Sequence, residues 1–102
     1  MQPIFLVYSG SFNPVHSGHI EVLQTAKIEM EKNNYKVVKA FISPSSDSYV
    51  NQKLGSDAIS LYHRCEMCRI ACQKYEWIQV CDFGLPSAYR IIRELINRRI
   101  IN

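Results

Sequence analysis

Apolar positions along the chain switch between two periods, and each switch predicts an element. The unbroken apolar run Ile4-Phe5-Leu6-Val7-Tyr8 reads as a buried strand, near Pro3–Tyr8. From about His16–Ser17 to about Lys32, the residues Ile20, Leu23, Ala26, Ile28 and Met30 follow a helical period, and Asn33-Asn34 supplies a stop. Lys36–Ile42, rich in β-branched residues, reads as a second strand. Ser43-Pro44-Ser45-Ser46-Asp47 closes it as a loop, and Ser48–Gly55 continues as a flexible polar segment. Ser56 or Asp57 suits the cap of a second helix running to about Lys74. Trp77–Cys81 reads as a third strand broken by Gly84, and Pro86 suits the first turn of a third helix, from about Ser87 to Arg98.

Strands alternating with helices over short links imply parallel strands and right-handed crossovers, hence an α/β class. Ligands of such sheets bind at the carboxyl ends of the strands. Three predicted loops meet that edge: Ser9–His19, Ser43–Gly55 and Asp82–Pro86.

Length and composition then narrow the classes. At 102 residues, residues 1–102 form one domain, and 47% apolar content suffices for a core. The net charge of +3 is mild and no long Lys/Arg run is present, which argues against a nucleic-acid-tracking face but suits an anionic small molecule. No apolar stretch has the length of a membrane span, and the start lacks a basic leader with an apolar segment, so the expected setting is soluble, cytoplasmic or nuclear. Cys65, Cys68 and Cys72 lie at helical spacing, with Cys81 beyond. No second pair stands at metal-ligand spacing, so the four read as small buried apolar residues in a reducing compartment, and no protein metal site is expected.

The chemistry sits at Gly10-Ser11-Phe12-Asn13-Pro14-Val15-His16-Ser17-Gly18-His19, between the first strand and the first helix. A glycine lets backbone approach a ligand, and a helix start offers free N–H groups and a positive dipole end. Two histidines three apart fall on one helix face and can donate to the same phosphate oxygens. A tight turn whose histidines merely cap a helix is the bland alternative.

Gly10-Ser11-Phe12-Asn13-Pro14 followed by His16-x-Gly18-His19 resembles the (H/T)xGH signature of the nucleotidylyltransferase superfamily. Ile42-Ser43-Pro44, Asp47-x-Tyr49, a lysine, Tyr62-His63-Arg64 and Trp77-Ile78-x-Val80 follow in order, and the set is similar to nicotinamide mononucleotide adenylyltransferase of the eukaryotic type. The resemblance implies a Rossmann-like nucleotidylyltransferase fold with a parallel sheet, truncated to about three βα units. It implies an enzyme that transfers AMP from ATP, with Mg2+, to nicotinamide mononucleotide, forming NAD and pyrophosphate. His16 and His19 would hold the ATP phosphates. Gly10, Ser11 and Phe12 would approach the nucleotides through their backbone, and Tyr49 and Lys53 would serve from the second loop. Arg64 would either contact phosphate or form a structural ion pair.

After Val80 the resemblance stops, at Cys81-Asp82-Phe83-Gly84-Leu85-Pro86-Ser87-Ala88-Tyr89-Arg90. A half-sheet with an apolar third helix (Ile91, Ile92, Leu95, Ile96, Ile100 and Ile101) leads to an expectation of self-association, a homo-oligomer. Two further readings stand beside NAD formation. One is a nucleotidylyltransferase for another phosphorylated substrate, such as phosphopantetheine or a choline- or glycerol-phosphate. The other is a catalytically impaired nucleotide-binding or interaction module.

Overall fold

The computed structural model describes residues 1–102 as an α/β unit. Its strands are β1 (Gln2–Gly10), β2 (Tyr35–Pro44) and β3 (Ile78–Val80); its helices are α1 (Ser17–Lys32), α2 (Asp47–Leu54), α3 (Leu61–Ala71) and α4 (Ala88–Asn97). The sheet is parallel with order β1-β2-β3, as helical crossovers between successive strands require. β1 and β2 pair end to end, from Gln2 opposite Tyr35 to Gly10 opposite Pro44, with a register shift at Ile4/Phe5 that leaves Val38 without a counterpart.

Alternation along the strands divides the core between two faces. Ala40 and Ile42 face α1 and α3, packing with Ile20, Leu23, Cys68, Cys72, Ile78 and Phe12. Phe41 points the other way, onto Cys81 and onto Ile91 and Leu95 of α4, with Val7, Phe83 and Leu85 around them. The adjoining stripe of α4, Ile92 and Ile96, stays exposed. All four cysteines are free and buried. Burial pushes their thiols up, Cys68 to about 12 and Cys81 to about 11, as expected of thiols that pack as apolar groups. Trp77 packs at the margin of the first core under the Lys27 ammonium.

Besides shifts at element ends (β2 runs on through Ser43 and Pro44, and α3 stops at Ala71 rather than about Lys74), three placements differ from the sequence expectation. Residues 48–54 are not a flexible polar segment but most of α2: the Ser46 hydroxyl accepts from the Tyr49 N–H at 3.1 Å, and Val50 is fully buried on the inner side. A short helix needs only one such anchor and one cap, too little to register as a period. The next helix is capped by Ser60, not by Ser56 or Asp57, which lie in a 3₁₀ turn at Gly55–Asp57. Pro86 stands one residue before the Ser87 cap of α4 rather than within the first turn. Gly84 has φ +64°, the left-handed region that favours glycine, and its Cβ would lie 3.1 Å from Leu61 Cδ2. There the chain turns beneath α3 and bridges to Ser45. No helix is long and apolar enough to cross a membrane.

Candidate functional site

The site grows from the loop that leaves β1. Phe12, although bulky, has φ +49°, a conformation that costs such a residue on the order of 1 kcal/mol or more. Burial offsets the cost: the residue is 3% exposed. It meets Tyr8 edge-on at 5.1 Å and His19 at 4.9 Å, and lies against the bare Cα of Gly10. The strained turn thus directs the chain back over the strand end and sets an aromatic floor under the second histidine.

Helix α1 then begins with an unusual cap. His16 is extended (φ −142°, ψ 177°) and stands just outside the helix, so the two histidines do not share a helix face as the spacing predicts. They meet by interlocking instead. His16 Nδ1 accepts from the Gly18 N–H at 3.1 Å, and His19 Nδ1 accepts from the His16 N–H at 3.0 Å. This is a capping box built from imidazoles in place of hydroxyl and carboxylate. The rings stack with centroids 3.8 Å apart. Burial, and then the neighbouring His16, hold His19 below the ordinary imidazole range. Beside His16 a groove of about 360 Å³ runs between α1 and the end of α3, past Ile20, Gln24, Lys74 and Tyr75.

The second loop is fastened to the first. The Gly10 carbonyl accepts from the Ser45 N–H at 2.8 Å and from its hydroxyl at 3.1 Å. Arg64 is fully buried, and each branch of its guanidinium donates within the chain: Nε to the Ile59 carbonyl at 2.7 Å, one terminal nitrogen to the Ser11 carbonyl at 2.9 Å, the other to Asp47 at 3.3 Å. That geometry is the ion-pair side of the expectation for Arg64. Asp47 also accepts from the Leu61 N–H at 2.6 Å, which satisfies an open donor at the start of α3.

The structure therefore brings Gly10, Ser11, Phe12, His16 and His19 together, with Arg64 behind Ser11. Tyr49 and Lys53 lie on the exposed side of α2, Lys53 about 9 Å along the axis from Asp47 at the ordinary helical rise. Lys53 forms no ion pair within the chain. Two hydroxyls at the carboxyl edge, of Ser11 and Ser43, are buried without a partner.

Asn13 stands in the motif, but its sequence neighbourhood assigns it no role. Its amide donates to the Asp57 carbonyl at 2.9 Å and accepts from the Ile59 N–H at 2.7 Å, tying the first loop to the turn before α3. The residue type suits that double role, since one side chain carries donor and acceptor. Nothing in the sequence points to partners so far away.

The cytidylyltransferase-like family matches residues 7–99. Nicotinamide/nicotinic acid mononucleotide adenylyltransferase 2 of Xenopus tropicalis is 38% identical over 78 residues, 76% of this chain and 24% of that protein. Nicotinamide/nicotinic acid mononucleotide adenylyltransferase 1 of Bos taurus is 37% identical over 78 residues, 76% of this chain and 26% of that protein. The Arabidopsis thaliana nicotinamide/nicotinic acid mononucleotide adenylyltransferase is 32% identical over 77 residues, 76% of this chain and 31% of that protein. The chain thus spans a quarter to a third of the length of these curated relatives.

Proposed function

The chain belongs to the cytidylyltransferase-like family, and from that premise we propose that it binds ATP and transfers AMP to nicotinamide mononucleotide. The relatives' names supply the substrate class. The observation that carries the reading is the stacked histidine pair at the start of α1, with a ring nitrogen of each turned away from the cap.

In this reading a 5′-phosphate oxygen of the mononucleotide attacks the α-phosphorus of ATP. The bond from that phosphorus to the bridging oxygen of the β-phosphate breaks, pyrophosphate leaves with the electron pair, and NAD forms. No covalent enzyme intermediate is needed, because such transfers rest on alignment and on stabilisation of spreading negative charge. His16 and His19 donate to the phosphate oxygens. The helix start adds its positive dipole end, and Gly10 lends its backbone at the strand end, its bare Cα being taken up by the Phe12 ring. Ser11 and Phe12 offer backbone at the same edge; Tyr49 and Lys53 serve from α2, and Arg64 acts by holding the Ser11 carbonyl in place. No group of three or more His, Cys, Asp or Glu side chains stands together to hold a cation. Mg2+ would come with ATP and would supply charge neutralisation on the phosphates.

The test is NAD formation by the purified chain from ATP, Mg2+ and nicotinamide mononucleotide, beside His19→Ala. Turnover that drops by about a hundredfold or more in the variant supports the reading. Calorimetric ATP binding without turnover replaces it with the nucleotide-binding module. Neither binding nor turnover overturns both.

A further inference from the structure

We infer that Gly18 is a positioning residue: its missing Cβ makes the space into which the His16 ring folds, and the interlocked cap so formed holds both imidazoles with Nδ1 inward and Nε2–H outward. Gly18 lies inside α1, and its φ is not in the left-handed region; among the glycines only Gly55 and Gly84 are there. Its backbone therefore needs no glycine, and glycine is among the poorest helix formers. What needs it is the ring. A Cβ on Gly18 would stand 2.9 Å from His16 Cε1 and 3.0 Å from His16 Nδ1, closer than such atoms approach. The ring cannot retreat freely, because the same Nδ1 accepts the Gly18 N–H and the stack on His19 is 3.8 Å deep.

The cap also fixes where the protons are. A ring nitrogen that accepts an N–H must carry its lone pair there, so in the neutral ring the proton sits on the other nitrogen. His16 and His19 both accept at Nδ1. Both are therefore Nε2–H tautomers, and neither Nε2 has a partner within the chain. Around them stand the Phe12 and Tyr8 rings and no carboxylate in ion-pair range. Protonating either ring would set an Nδ1–H against a backbone N–H and open the cap. The pair is thus a fixed double N–H donor aimed at an anion. The identity of that anion as phosphate rests on the proposed function; the cap does not.

Two measurements on the free protein test the cap. Long-range ¹⁵N–¹H correlation at neutral pH is expected to show both imidazoles as Nε2–H tautomers; an Nδ1–H form or a mixture at His16 overturns the inference. The second is a cycle of thermal midpoints. Gly18→Ala is expected to lower the midpoint, although alanine is the better helix former. In a His16→Ser background, where a good cap remains without the ring, the same change is expected to raise it. A rise in both backgrounds overturns the steric role. ATP titration closes the argument. If the parent binds, Gly18→Ala is expected to weaken binding by about tenfold, the scale of one charge-assisted hydrogen bond. Unchanged affinity overturns the positioning role. A parent that binds no ATP, with tautomers and cycle as expected, removes the proposed function and leaves the cap standing.

Discussion

The two loops that meet at the carboxyl edge of the sheet are held by different kinds of bond. The loop after β1 is tied mainly to itself: Phe12 to Tyr8 and His19, His16 to Gly18 and His19, all within a dozen residues. The stretch from Ser45 to Ser60 is tied across the chain: Ser45 to Gly10, Asp47 to Arg64, and Asp57 and Ile59 to Asn13, 44 and 46 residues away. A loop closed by near neighbours carries its shape with its own residues. One closed by distant partners borrows its shape from the folded whole, and loses it when a partner goes.

The hardest test of that contrast is Arg64→Met. The change keeps the apolar stem but leaves two half-buried carbonyls, of Ser11 and Ile59, without their donor. Asp47 is half exposed, so the lost ion pair itself counts for little. The expected cost is about 3 kcal/mol, read as a lower urea midpoint at unchanged slope. A cost below about 1 kcal/mol would mean that the second stretch stands without its distant anchor. Asn13→Ala removes two bonds and is expected to cost about 2 kcal/mol. Amide exchange at Ile59 should quicken while exchange in the middle of β2 slows or speeds only with global stability; equal quickening at both would erase the distinction between the loops.

The smallest effect belongs to the self-contained loop. Folding holds His19 below the ordinary imidazole range, so near and just below that range the unfolded chain binds more protons than the folded one. The sign follows: stability is whole above the unfolded imidazole value, declines as pH falls through the window beneath it, and levels off below the folded value. Comparing chemical unfolding at about pH 8 and about pH 5 should show this decline in the parent and a shallower one in His19→Gln. Equal slopes would mean that the cap tolerates a charged ring.

The same contrast explains what could be read in advance. The strand, turn and helix around His16 and His19 are encoded by adjacent residues, and their arrangement follows from composition and spacing alone. That the histidines cap the helix was one of the sequence readings, but the stacking of their rings was not legible, because it comes from His16 leaving the helix as the two caps interlock. α2 was not legible either: its single buried anchor, Val50, and its Ser46 cap make no repeating pattern. Tyr62-His63-Arg64 was visible as a string, but the burial of Arg64 depends on carbonyls from two other segments.

The register shift beside Val38 has a consequence at the opposite end of the sheet. β1 brings nine residues to its pairing and β2 brings ten, yet their last residues, Gly10 and Pro44, finish level. The surplus is absorbed by one residue standing out of step, about 20 Å upstream at the usual strand rise. Like the sliding scale of a vernier, it converts unequal lengths into coincident ends, and that coincidence puts the Ser45 amide opposite the Gly10 carbonyl. The alignment of the carboxyl edge is thus calibrated well upstream in the sheet, by a valine that has no pairing partner of its own.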